Sequence, residues 1–355
     1  MDKGSLRGDK GICEGEEFMI VRITHLDGSL PNLALMRLSA WHKKLGHTVF
    51  FTQESTRTIF EPQKYDAVYG SSIFKFSQKK TAMFLRSFPN ALLGGTGTEG
   101  SATIEDITGT VDIRPDYDVY PEFNHSLGFT QRGCRFKCKF CVVPKKEGEN
   151  QGVSSIMDIY RGEPYPRNIL LLDNDFFGQE EWEKRISEIR DGKFKVCFSQ
   201  GINVRTISEG EAEALVSIEY RDTKFERKRI YTAWDNLEDE EVFFRGIAHL
   251  EKSGISPKQV MAYMLVGFSP RETWERIWHR FFRMVEVGIQ PYPMVFDRSR
   301  EDLLCFQRWV VGRYYQFIPW DKYDKSTKSQ ESLDAYNSVF SSSKKITEID
   351  PVVGF

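Results

Sequence analysis

Long apolar runs are missing from this chain of 355 residues. No segment approaches the roughly 18 consecutive apolar residues that a membrane-spanning helix needs. Residues 1–17 are polar and Gly-rich and have no apolar core for a signal peptide, so they read as a flexible leader. The expectation is a soluble, cytoplasmic protein without a membrane partner. A dominant charge sign is missing too. The balance of 49 basic and 51 acidic residues gives a formal charge of −2. That excludes bulk attraction to nucleic acid or an anionic membrane and leaves such contacts to a local patch. Cysteine is scarce: six residues, three of them within eight positions, do not make a disulfide framework. What remains is ordinary globular composition, 40% hydrophobic and 28% charged. The length suits about two to three domains.

Hydrophobic periodicity divides the chain. Residues 18–95 alternate strand and helix patterns, with strands at 18–23, 49–52, 66–70 and 91–95 and helices at 32–45 and 77–88. This is the pattern of a small parallel sheet, Rossmann-like or flavodoxin-like. Residues 96–124, rich in Gly, Thr, Asp and Pro without a period, read as a linker. A second alternating series fills 125–296, with strands at 126–130, 168–172, 195–199, 229–233, 259–266 and 290–295. Its clearest helices fall at 180–190, 240–253 and 271–287. Six β–α steps with short connections suit a (βα)6 partial TIM barrel. Residues 297–355 form a helical C-terminal extension, with a helix at 300–316 and a polar tail at 322–348 that reads as loop or frayed helix. The fold class is therefore α/β in two domains.

The segment 128–148 reads GFTQRGCRFKCKFCVVPKKEG and carries Cys134, Cys138 and Cys141 as C-x3-C-x2-C. It follows the first strand of the barrel series, at the end where parallel barrels place reacting groups. Three thiolates on one short loop can grip an iron–sulfur cube and leave one iron open. Arg135, Lys137, Lys139, Lys145 and Lys146 would favour thiolate and offset the cluster's negative charge. Zinc is the competing ligand, but closed zinc sites take four ligands in paired halves, and Cys197 and Cys305 stand alone. Those two, set among apolar neighbours, read as buried small hydrophobes, and with Cys13 they are too dispersed for a second cluster.

The loop resembles the radical S-adenosylmethionine superfamily, whose motif is C-x3-C-x-aromatic-C, matched by Cys134, Cys138, Phe140 and Cys141. The resemblance implies a [4Fe–4S] cluster on the three cysteines, with S-adenosylmethionine on the open iron and the Phe140 backbone against its adenine. It also implies reductive cleavage to a 5′-deoxyadenosyl radical, hydrogen abstraction from a substrate, and a one-electron donor of flavodoxin or ferredoxin type. After the second barrel strand, Asp173, Asn174 and Asp175 stand where the family has a Gly-Gly-Glu stretch for the methionine amino group. After the third, Gln200, Asn203 and Arg205 resemble a Q-G-x-(D/N)-x-R element, and Arg205 could fork onto the methionine carboxylate. After the fourth come Trp234 and Asp235, the latter suited to ribose hydroxyls, and after the fifth Gly267, where backbone can approach adenine. Taken singly, each of these fits a surface ion pair, a core aromatic or a turn; their shared place at strand ends favours the site.

The first domain resembles the cobalamin-binding domain of one group in that superfamily. The motif D-x-H-x-x-G is represented by His25 and Gly28, with Ile23 in place of the leading Asp. A ligating imidazole needs an orienting partner, so cobalamin is expected to be absent and His25 to be a turn residue or substrate contact. Cobalamin-dependent methyl transfer is the alternative activity. Basic and aromatic residues interleave at Arg280, Arg308, Arg313 and their neighbours. They read either as a surface for a DNA or nucleotide substrate or, more simply, as amphipathic helices packing on the barrel. The layout also resembles compact bacterial and phage members of the superfamily, which points to isomerisation of a hypermodified pyrimidine in DNA. A metal-stabilised nucleic-acid-binding module is the non-enzymatic alternative.

Overall fold

Val21 and Ile23 have no exposed surface, as expected of a strand flanked by neighbours on both edges and covered on both faces. They belong to β1 (Ile20–His25), the inner strand of a parallel sheet ordered β2-β1-β3-β4 in a computed structural model of the chain. The partners are β2 (Thr48–Thr52), β3 (Ala67–Ser71) and β4 (Leu92–Gly94). The structure describes residues 18–98, 102–110, 112–324 and 328–342; the expected leader and Cys13 lie outside them. The chain forms two compact units, Met1–Phe123 and Asn124–Phe355.

In the first unit, α1 (Leu33–Lys44) starts at Asn32, whose side chain accepts from the Leu35 N–H. It buries Leu33, Leu35, Met36 and Leu38, and α2 (Gln78–Ser87) buries Phe84. Arg22 breaks the apolar pattern of β1 without leaving the core. Its guanidinium pairs with Glu61 at 2.7 Å and lies over the Phe88 ring, so the buried charge is both neutralised and hydrogen-bonded. The region read as a linker is instead partly built into this unit. Thr103 and Asp106 form a capping box for α3 (Ile104–Thr108), and Ile104 joins Val21, Ile23, Leu35 and Leu38 in the core. One short apolar anchor per turn is too little for periodicity to register.

Among the described residues the second unit carries seven parallel strands in two sheets, six of them longer than two residues. β5 (Ser126–Gly128), β8 (Asn168–Leu171) and β9 (Lys195–Phe198) pair in that order, with the two-residue β10 (Glu219–Tyr220) at the edge. β11 (Ile230–Ala233), β12 (Val260–Val266) and β13 (Gln290–Val295) form the other sheet. The Ile202 N–H donates to the Tyr231 carbonyl at 2.7 Å, bridging the two sheets. A short antiparallel pair, β6 (Gln131–Arg132) with β7 (Gln151–Gly152), interrupts the series and encloses α4 (Val143–Lys146).

Helices alternate with the parallel strands: α5 (Ile156–Ile159), α6 (Trp182–Asp191), α7 (Glu209–Val216), α8 (Glu240–Lys252) and α9 (Trp274–Glu286). α10 (Glu301–Val311) follows β13. The tail contains α11 (Gln330–Ser342), where Ser332, Ala335 and Tyr336 are buried and the Trp278 indole donates to the Ser332 carbonyl at 3.2 Å. Trp274, Trp278, Phe306, Trp309 and Trp320 pack edge to face around this junction. Cys197 and Cys305 are fully buried. No helix among the described residues is long and apolar enough to cross a membrane.

Candidate functional site at the cysteine loop

Cys134, Cys138 and Cys141 lie on the excursion between β6 and β7, and its neck is tight. Gln131 pairs with Gly152 and Arg132 with Gln151, and the Cys134 N–H donates to the Gly148 carbonyl at 3.3 Å. Gly133 has φ +78°, and a Cβ there would lie 2.0 Å from the Glu149 carbonyl oxygen, so the position accepts only glycine. Glu147 accepts from the Gly133 N–H at 3.1 Å and pairs with Arg132 at 3.3 Å. Within the loop the Cys141 N–H donates to the Cys138 carbonyl at 3.0 Å. All three thiols are free and partly exposed.

Burial pushes the Cys134 and Cys141 thiols up from their ordinary value, and nearby carboxylates push the same way, Asp175 on Cys134 and Asp235 and Glu147 on Cys141. The loop's basic residues were expected to draw the thiols toward thiolate, but burial wins. Arg135 points its guanidinium at Asp175 instead, at 2.9 Å.

Asp173, Asn174 and Asp175 all grip the loop. Buried Asp173 accepts from the backbone N–H of Thr130 at 2.7 Å and of Gln131 at 3.2 Å, and from the Thr130 hydroxyl. Burial pushes its carboxyl up to about 7 against those donors. Asn174 donates to Glu147 at 3.0 Å. Asp175 takes Arg135 on its carboxylate, and its N–H donates to Gln131 Oε1 at 3.0 Å. Their side chains are thus committed to anchoring. Sequence reasoning singled out neither Thr130, Gln131 nor Glu147; a polar Thr-Gln pair directly after a buried strand was the available signal.

Arg205 lies within the short 3-10 turn Val204–Thr206, capped by Asn203, and donates to Asp239 at 2.8 Å and to Asn203 at 3.1 Å. Burial depresses its pKa, but Asp239 and then a Cys138 thiolate outweigh this and raise it, which places its charge beside Cys138. Its guanidinium also lies 5.4 Å from the Phe136 ring. Gln200 is exposed and donates to the Ser199 hydroxyl at 3.4 Å. Asp235 accepts from the Leu265 N–H at 2.9 Å, is raised by burial, and senses Cys141. Phe140 meets Phe268 edge to face at 5.6 Å. Gly267 has φ +79° and a Cβ there would crowd Leu303, so its glycine is needed locally.

Other predicted residues are placed elsewhere. Trp234 is fully buried and stacks on Phe243. Arg280 is a fastener: buried, it donates to the carbonyls of Trp234, Asp235 and Leu265, each at 3.0 Å, and pairs with Glu272. None of that leaves a guanidinium face for substrate. Arg308 approaches Asp324 at 3.7 Å, and Arg313 lies after α10. In the first unit His25 is 3% exposed, with Nδ1 3.0 Å from the Tyr120 hydroxyl and Nε2 buried without a partner. Tyr120 supplies, from far along the chain, the orienting contact missing at Ile23. Burial holds the imidazole below its ordinary value.

Among the described residues no three His, Cys, Asp or Glu side chains converge tightly enough for a single metal ion. Three thiols spread along one loop, within electrostatic reach of one another, suit a group gripped at separate corners, as an iron–sulfur cube is. A closed tetrahedral zinc site would need a fourth ligand. No family model matches the chain, and neither does any curated protein. Among solved structures, the apo form of the cobalamin-dependent S-adenosylmethionine radical enzyme OxsB is similar at 13% identity and a TM-score of 0.49. That match covers 94% of this chain, which spans 62% of the length of OxsB.

Proposed function

We propose that the chain is a radical S-adenosylmethionine enzyme whose Cys134, Cys138 and Cys141 hold a [4Fe–4S] cluster. One observation supports this reading most. Side chains from beyond the C-terminal ends of four parallel strands meet the cysteine loop: Asp175 after β8, Arg205 after β9, Asp235 after β11 and Phe268 after β12. Parallel α/β barrels place reacting groups at those ends, and we read the six strands as one (βα)6 partial barrel. When bound, such a cluster supplies one electron to the sulfonium of S-adenosylmethionine, drawn from a flavodoxin- or ferredoxin-type donor.

The chain's own residues position and exclude water. Arg205 keeps a partly desolvated positive charge beside Cys138 and exchanges its Asp239 contact for the methionine carboxylate. Phe140 and Phe268 form an apolar wall beside the loop. Cobalamin has no part in this reading, because the His25 ring is covered. A DNA pyrimidine as hydrogen donor rests on the resemblance in layout, since Arg280, Trp309 and Trp320 are buried in the fold while Arg308 and Arg313 stay exposed.

The test is anaerobic incubation of the reconstituted protein with dithionite and S-adenosylmethionine, without cobalamin, followed by mass-spectrometric assay of 5′-deoxyadenosine. The parent should release it. Cys138→Ala should lose iron, sulfide and product, whereas Cys305→Ala should keep all three. Stoichiometric zinc without colour or product would overturn the proposal.

A further inference from the structure

A cavity of about 320 Å³ opens in the second unit where β11, β12 and β13 begin, the opposite strand ends from the cysteine loop. Arg229 leads into β11, Lys258 precedes β12, and Arg313 reaches the cavity from the turn after α10. Three cations thus face one space, and among the described residues none of them forms an ion pair. Arg229 donates only to the Lys258 carbonyl, at 3.4 Å, and Arg313 to Gln290 Oε1 at 3.0 Å. Burial holds the Arg229 guanidinium below its ordinary value, and the Arg313 charge pushes the same way. Like charges on one cavity repel; Asp222 tempers this at Arg229, and an anion seated between the cations would relieve it further.

The backbone adds an independent observation. Arg313 has φ +57°, the left-handed region that glycine enters freely and arginine only under strain. Gly312, one residue earlier, has an ordinary φ of −73°. The left-handed residue follows the C-cap of α10 and ends that helix, and the turn it makes brings Arg313 to the edge of the cavity. Val285, Ile289 and Tyr315 line the space between the cations, so it suits a ligand with an anionic group and a small apolar body.

We propose that this cavity binds a phosphate-bearing small molecule, held by Arg229, Lys258 and Arg313, as a site separate from the cysteine loop. The two guanidiniums supply forked donors for phosphate oxygens and Lys258 supplies a point charge.

Thermal unfolding of the full chain tests this, with inorganic phosphate or uridine monophosphate titrated at ionic strength matched by sodium chloride. The parent's midpoint should rise saturably with either probe. A tighter response to the nucleotide identifies a nucleotide ligand, and equal responses identify free phosphate. Arg313→Gly relieves the backbone strain, so its midpoint without ligand should be no lower than the parent's, while its affinity for the probe falls about tenfold. Arg229→Gln should lose affinity to a similar extent. No saturable rise in the parent, or an undiminished rise in both variants, overturns the proposal.

Discussion

Asp27, in the loop after β1, accepts from the backbone N–H groups of Ile73 and Phe74 at 2.6 and 3.0 Å and from the Ser72 hydroxyl at 2.9 Å. Asp173, in the loop after β8, accepts from the N–H groups of Thr130 and Gln131 and from the Thr130 hydroxyl. Each carboxylate ties the end of its own strand to the loop after the neighbouring parallel strand with two amides and a hydroxyl, and Asp27 draws on the Ser77 hydroxyl as well. Their acidities nonetheless move in opposite directions. Burial raises Asp27, but its donors together outweigh it and leave the carboxyl below the ordinary range. For fully enclosed Asp173 burial outweighs a similar set of donors, and the value rises to about 7. Hydrogen bonds fix where the carboxylate sits, and access to water decides its charge.

Deleting the two carboxylates is the largest perturbation of this comparison. Asp173→Ala leaves two amides and a hydroxyl buried without an acceptor, and a loss of about 3–5 kcal/mol is expected. Asp27→Ala lets water reach its donors, for a loss of about 1–2 kcal/mol. Denaturant-dependent hydrogen exchange in peptides from β8 and from β1 measures each unit, and equal losses would break the contrast.

The pH dependence sharpens it. An unfolded aspartate titrates near ~3.9. With its folded value raised, Asp173 contributes most below about pH 4, and that contribution falls as pH rises toward about 7. Asp27 is depressed, so its contribution is present above the unfolded value and is lost as pH falls through the lower folded one. Asp173→Asn should therefore remove a downward slope between about pH 4 and 7, and Asp27→Asn should remove an acid limb below about pH 4. Unchanged slopes in stability measured against pH would refute the assignment. The smallest effect belongs to Thr130→Val, which deletes one donor and should cost about 1 kcal/mol in the same exchange assay.

The alternation of strands and helices was legible because each element buries a face with its own period. Six of the seven parallel strands of the second unit fall where their apolar runs predict, and the two-residue edge strand β10 is too short to give such a run. The three thiols were legible from spacing, and the structure brings Arg205 and Asp235 within electrostatic reach of them. Asp173, Asn174 and Asp175 were placed correctly at a strand end, but their work was not readable, since their partners lie some forty residues upstream in Thr130, Gln131 and Arg135 or in the loop at Glu147. Arg280 was opaque for the same reason: its acceptors are carbonyls just after β11 and in β12, which carry no sequence signature. The helix α11 was hidden by the polar residues Gln330, Glu331, Asp334, Asn337 and Ser338 on its exposed side and by Ser332 on its buried one, although Ala335 and Tyr336 seat it against α9.

The pinned neck of the cysteine loop has a consequence for how this segment tolerates change. The β6–β7 pair and the bond from the Cys134 N–H to the Gly148 carbonyl hold the two ends together, so the entropy of closing the loop is already set at its neck. Lengthening the stretch after Cys141 then adds only a logarithmic increment, about 0.6 kcal/mol for each doubling of a flexible loop. The stretch from Cys134 to Cys141 has no such freedom, because its spacing sets where the thiols point. The excursion therefore behaves as an exchangeable cassette with one rigid half and one elastic half, and natural variation in length should collect in the elastic one.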